Sequence, residues 1–200
     1  MKTITLFMSF AFVTGFANAQ KTHHNTAAQP HTEFGLKGGL NISGVHVQNN
    51  SGPDAKPSFH LGGLAHIHIN RYFALQPEIV YSGQGFKQTI ANTDYKYNLH
   101  YVNVPVLAQF MVGDGFRLET GPQLGVLAAA RQKAGGTSID IRDNYKPVDF
   151  AWVVGAGYLT PSGFGIDARY NLGISNINDV SGTAVNNRVF QAGVFYQFRH

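Results

Sequence analysis

Residues 164–175 read Phe-Gly-Ile-Asp-Ala-Arg-Tyr-Asn-Leu-Gly-Ile-Ser. Phe164, Ile166, Ala168, Tyr170, Leu172 and Ile174 alternate without a break against Gly165, Asp167, Arg169, Asn171, Gly173 and Ser175. A period of two puts the first set on one face of a β-strand and the second on the other. Seven more segments share this pattern. Phe34, Leu36, Leu40 and Ile42 alternate with Gly35, Lys37, Gly39 and Asn41, and Phe59, Leu61, Ala65, Ile67 and Ile69 with His60, Gly62, His66 and His68. Phe73, Leu75, Pro77, Ile79 and Tyr81 oppose Gln76, Glu78, Ser82 and Gln84, while Val102, Val104, Val106 and Ala108 oppose Tyr101, Asn103 and Gln109. The remaining three run from Phe116, Phe150 and Phe190, with Arg117, Glu119, Gln123, Asp149, Gln191 and Gln197 on their polar registers.

The connections between these segments sort by parity. Tight ones fall at 70–71, 112–115 and 160–163, and longer ones at about 44–57, 86–96, 131–147 and 178–187. A soluble sandwich has no reason to alternate its loops this way, whereas an outer-membrane barrel places short turns on the periplasmic side and longer loops outside. Seven alternating connections predict an all-β fold: an eight-stranded antiparallel up-and-down transmembrane β-barrel, with both chain ends on the short-turn side.

Alternation leaves open which face points inward, because a soluble lipocalin-like ligand carrier shows the same pattern inverted. Side-chain volume decides between them. An eight-stranded barrel has a bore just wide enough to be filled by side chains. The apolar face carries most of the Phe, Tyr, Trp, Leu and Ile, too much bulk for that bore, and the Gly-, Ser- and Asn-bearing face fits. The apolar face is therefore expected to point outward, where only lipid covers so large a surface. Aromatics at the segment ends form two expected interfacial girdles: Phe73, Phe110, Phe116, Tyr158, Phe164 and Phe198 by the short turns, and Phe59, Tyr81, Phe150 and Tyr170 towards the loops. Pro77 and Pro105 each delete a ladder donor, so bulges or register defects are expected there.

Residues 1–19 read as a signal peptide, with Lys2, an apolar run over 4–16 and Ala17-Asn18-Ala19 as the cleavage site. The run is shorter than the roughly 18 apolar residues a helical span requires. Residues 20–32 read as a polar periplasmic leader, and 33–200 as the barrel domain; His23, His24 and His31 of the leader carry no expected metal role. There is no Cys, which excludes disulfides and a lipid-modified cysteine. The net charge of +4 is scattered without basic runs, so nucleic acid is not an expected partner.

Leu75-Gln76-Pro77-Glu78-Ile79-Val80-Tyr81-Ser82, Tyr101-Val102-Asn103-Val104-Pro105-Val106-Leu107, the Gly121-Pro122 step and Arg169-Tyr170-Asn171-Leu172-Gly173-Ile174 together resemble the PorT-like outer-membrane β-barrel family, widespread in Bacteroidetes. The resemblance covers about 33–200. It implies an eight-stranded outer-membrane barrel but no reaction, since most members have no assigned activity. The chain departs from the usual terminal aromatic by placing Arg199-His200 after Phe198.

Ten polar residues fall on the inward register: Lys37, His60, His66, His68, Glu78, Arg117, Glu119, Asp149, Asp167 and Arg169. Charges enclosed in a narrow bore are costly unless paired, so they are expected to form a lumen polar network that blocks flow; a proton or ion path through them is the alternative. His66 and His68, two apart on one strand, place their rings roughly 6–7 Å apart and are read as hydrogen-bonded lumen histidines rather than metal ligands. A lipid-modifying enzyme requires a nucleophile and base near the outer rim. His100 and Ser175 lie there, on opposite registers and without a Gly-x-Ser-x-Gly elbow. No catalytic, metal or cofactor site is expected. The expected role is envelope structure, surface contact or partnership in secretion or assembly. Expected partners are outer-membrane lipids and lipopolysaccharide, the barrel-assembly machinery, and other envelope or secretion proteins.

Overall fold

The computed structural model of the chain describes residues 31–47, 53–90, 92–179 and 185–198. The signal-peptide reading, most of the leader with His23 and His24, and the terminal Arg199-His200 lie outside the described residues. Among the described residues nine strands form: β1 (Thr32–Val47), β2 (Asp54–His68), β3 (Phe73–Ile90), β4 (Thr93–Val112), β5 (Phe116–Ala134), β6 (Thr137–Asp140), β7 (Val148–Leu159), β8 (Phe164–Gly173) and β9 (Val185–Phe198). Eight of them close a ring in which every neighbouring pair is antiparallel, with β1 against β9 and β4 against β5 completing the circle. The ninth, β6, is a short return strand on the outer part of β5, joined through Gly135 and Gly136, both at positive φ.

The pleat has the orientation that volume requires. Phe34, Leu40, Phe59, Ile79, Phe150 and Ile166 stand on the outer surface, more than half exposed, while Lys37, Asn41, His66, Glu78, Gln109 and Arg169 are buried in the bore. The lipocalin-like arrangement is thereby overturned. Among the described residues no helix is long and apolar enough to cross a membrane, so any crossing is by strands. The tight connections stand where alternation predicts them. At the first, Asn70 Oδ1 accepts from the N–H groups of Tyr72 and Phe73, a local Asx turn.

Two expectations need correction. The segments 86–96 and 131–147 are not loops throughout. β3 and β4 run on as a hairpin with unbroken register from Phe86↔Tyr97 to Ile90↔Thr93, and β5 continues to Ala134. The physical reason is that alternation marks a strand only where lipid bathes one face, and these extensions rise beyond the band that an apolar face requires. A transmembrane strand needs about 9–11 residues; β8 has 10, whereas β4 has 20. The barrel is therefore lopsided, with a fin of β3, β4, β5 and β6 on one side.

The prolines also behave otherwise than expected. The β3–β4 ladder is interrupted between Pro77↔Val106 and Val80↔Asn103 but resumes in the same register, so the wall tolerates the missing donors without a bulge. Register shifts occur instead between Ala55 and His60 on β2 and between His100 and Tyr101 on the β4–β5 ladder.

Val104, midway between Phe110 and His100 on β4 and paired with Leu124, faces outward. Val104→Lys is expected to lower stability in lipid vesicles by about 2–4 kcal/mol, while Thr137→Lys on β6, exposed and opposite Ala134, shifts it by less than about 0.5 kcal/mol. Urea titration of both variants distinguishes them, and equal effects would contradict a lipid-facing wall.

Candidate functional site in the barrel lumen

The bore is layered along its axis. Nearest the short turns, Leu64, Leu159 and Phe195 form an apolar cluster. The Phe195 ring lies directly on Gly165, where a Cβ would sit 2.2 Å from it. Arg117 places its guanidinium 5.6 Å from the centre of the same ring. Beside this layer, His66 and His68 of β2 approach Glu33, which is opposite His66 on β1. The two rings meet edge to face at 4.4 Å, closer than their strand spacing predicts, because both turn toward each other. His66 Nδ1 lies 3.3 Å from Gln76 Oε1. Among the described residues no group of three or more candidate ligands is arranged to hold a metal ion.

The middle layer holds the charges. Arg169 of β8 reaches across the bore and donates both terminal nitrogens to the Glu78 carboxylate at 2.8 Å, a bidentate clamp. The same guanidinium pairs through Nε with Glu119, bonds its second oxygen at 3.2 Å, and lies 3.1 Å from Asp167. Lys37 of β1 donates to Asp167 at 2.8 Å and lies 3.4 Å from Glu78. Three carboxylates and two cations from β1, β3, β5 and β8 thus share one buried cluster. Amides complete it: Gln76 donates to Glu78 at 2.7 Å, and Gln109 donates to Glu119 at 2.8 Å while accepting from Arg117 at 3.5 Å. Room for these long groups comes from Gly155, where a Cβ would stand 2.8 Å from the Arg169 stem.

Above the charges lies an amide and hydroxyl layer. Asn41 donates to Ser82 Oγ and the Gly83 carbonyl and accepts from Gln191 at 3.0 Å, with His60 Nδ1 at 2.7 Å from the same oxygen. Asp149 belongs here and not to the ion-pair cluster. It accepts from Ser175 Oγ at 2.6 Å and from Asn187 at 3.3 Å.

The outer mouth is capped by a second apolar cluster of Val45, Phe86, Leu99, Tyr101, Leu127, Ala130, Ile141 and Ile177. Ile141 follows β6 and Ile177 follows β8. Their connections are cross-linked by the Tyr145↔Asn178 bridge and by Lys146 N–H donating to the Ile177 carbonyl. The sequence reading places Ile141 in the connector 131–147 and leaves Ile177 unassigned between the strand ending at Ser175 and the connector 178–187. An apolar residue isolated in a polar loop was the only signal.

All ten inward-register residues therefore line the bore, but they divide into groups. Lys37, Glu78, Glu119, Asp167 and Arg169 are one cluster, Arg117 joins its edge through Gln109, and His60 and Asp149 belong to the amide layer. His66 contacts the cluster through Gln76, and His68 lies toward the short-turn end. The rim pair considered for catalysis is not assembled. His100 Nδ1 is bonded to the Tyr81 hydroxyl at 2.6 Å, and Ser175 to Asp149 and the Phe150 N–H.

A family model described as an outer membrane protein beta-barrel domain matches residues 18–179. No curated protein matches the chain in sequence. Among solved structures, Neisserial surface protein A aligns with a TM-score of 0.59 at 17% identity, covering 82% of this chain and 97% of that one. The attachment invasion locus protein Ail of Yersinia pestis, crystallised with the heparin analogue sucrose octasulfate, aligns at 0.53 and 18% identity, covering 84% and 99%. At such identities the likeness is one of fold.

Arg169→Met removes the guanidinium from all three carboxylates and leaves Lys37 against Glu78 and Asp167 alone, a loss of about 3–5 kcal/mol for an uncompensated buried charge. Asp149→Asn keeps hydrogen-bond partners and costs about 1 kcal/mol. Urea midpoints in vesicles rank the two, and a larger effect from Asp149→Asn would contradict the cluster's role in stability.

Proposed function

Because the chain belongs to the outer membrane protein β-barrel domain family, we propose that this small outer-membrane barrel conducts no solute, catalyses no reaction and acts through its outer rim. The observation that carries this reading is the filling of the bore by four successive side-chain layers, with the charged one held between apolar clusters at both ends. A path for ions would have to separate Arg169 from Glu78 and also displace Ile141 and Ile177. Catalysis has no assembled nucleophile and base, since His100 and Ser175 are each held by other partners.

The finer assignments rest on the sequence. Residues 1–19 act as an export signal, 20–32 as a periplasmic leader, and the Leu75–Ser82, Tyr101–Leu107 and Arg169–Ile174 segments place the chain among PorT-like barrels. Insertion runs through the barrel-assembly machinery, and the folded protein contributes to envelope structure, surface contact or a secretion or assembly complex. The fin gives such contacts a firm base, because β3, β4 and β5 continue as paired strands rather than loose loops.

Planar bilayer recording of the mature protein tests the closed bore. Flat traces are expected for the wild type. Regular unitary steps whose size changes in Glu78→Gln would make the lumen a pathway and overturn the reading.

A further inference from the structure

The outer surface of the fin carries an arrangement that the lumen does not explain. Register sets Lys87 of β3 directly opposite Lys96 of β4, and Lys96 directly opposite Lys133 of β5. Arg131 stands opposite Asn98, two residues from Lys133. Like charges directly opposite in an antiparallel pair are destabilising, and here two such pairs adjoin. Carboxylates are present but engaged elsewhere or set apart. Asp54 stands opposite Lys87 and Asp140 opposite Arg131, with Asp140 accepting from the Arg142 N–H and Asp94 from the Thr89 hydroxyl. Among the described residues none comes within 4.0 Å of any of the four cations. Asp54 and Asp140 offset the charge at the two flanks, but Lys96 and Lys133 at the centre have only cations or neutral groups opposite them, which suits the row to an external anion.

Its height says where that anion sits. Tyr81 and His100, hydrogen-bonded and stacked, mark the outer edge of the apolar band. With about 3.3 Å per residue and a strand tilt near 45°, Arg131 stands roughly 5 Å above His100 and the lysine row roughly 9 Å. That is headgroup depth. These side chains leave the wall sideways, so they meet neighbours in the leaflet rather than solutes above the rim. The ridge also has a side: on β7, β8 and β9 the outward face carries one cation among the described residues, Arg188.

We propose that Lys87, Lys96 and Lys133, with Arg131, form a binding site for the phosphorylated sugar headgroup of an outer-leaflet lipid. Each phosphate bridges two ammonium groups and converts their repulsion into charge-assisted hydrogen bonds. The site deepens the outer-membrane reading above and rests on its orientation, with the long connections facing out.

The test is retention of bisphosphorylated lipid A by the detergent-purified mature protein, measured by native mass spectrometry. The triple variant Lys87→Ser, Lys96→Ser, Lys133→Ser is expected to lose about tenfold or more in retention, and Arg188→Ser to bind as the wild type does. Removing the repulsion leaves the urea midpoint of the triple variant unchanged or raised, so a fall in binding is not a fall in folding. Dephosphorylated lipid A is expected to bind as weakly to the wild type as the intact lipid does to the triple variant. Retention by the triple variant, or equal binding of the dephosphorylated lipid, would overturn the site. Inorganic pyrophosphate competing at its own concentration as well as the lipid does would make it a free-phosphate site instead. Orientation is read separately from Ser138→Cys, the only thiol in such a chain, which an impermeant maleimide is expected to label on intact cells. Labelling only after cell disruption would overturn the orientation while leaving the detergent binding result to stand or fall alone.

Discussion

A chain crossing hydrocarbon has no water to satisfy its backbone, so every N–H and carbonyl in the span must find a partner in the sheet, and an open edge is forbidden. The rest of the molecule follows from that. The β4–β5 and β1–β9 ladders exist to close the ring, and eight strands make a ring whose bore is as narrow as a layer of side chains. Bulk is driven to the outside, where lipid solvates Phe34, Leu40 and Trp152. What remains inside must be small or mutually bonded. Arg169 is the point at which this requirement is most demanding, because one guanidinium answers three carboxylates from three strands.

The sequence speaks clearly wherever lipid enforces a contrast between two faces. From Phe164 to Ile174 each residue's side of the wall is legible from parity alone, and so is the set of ionisable groups that enter the bore. Their partners are not legible. Whether Arg169 meets Glu78 or Asp149 depends on the stagger between β3, β7 and β8, and parity carries no information about height. Beyond the membrane both faces meet water and the alternation fades, so the extensions of β3, β4 and β5 look like loops. Ile141 and Ile177 escape notice for a related reason: their burial comes from contact between two connections distant in sequence. Pro77 and Pro105 mislead in the opposite direction, since the ladder absorbs a missing donor without shifting register.

A bore packed in this way leaves little scope for function inside. The wall is smooth hydrocarbon, the short turns are tight, and four cations stand side by side on the fin. There the pairing that extends the strands also aligns three lysines in a row, so the same ladders that lift the fin clear of the lipid concentrate positive charge at its base. Fold and surface chemistry are joined through register: displacing β4 by two residues against β3 would keep every side chain on its face and yet disperse the row.

The central claim is that the apolar face meets lipid while the bonded polar face is enclosed. It is tested most directly by the gel mobility of the detergent-purified mature protein, boiled against unboiled, together with its fractionation from cells. A closed barrel keeps its ring in the unboiled sample, so a heat-dependent shift is expected, with the protein in the outer-membrane fraction. Identical mobility, with the protein soluble in the periplasm without detergent, would contradict the account.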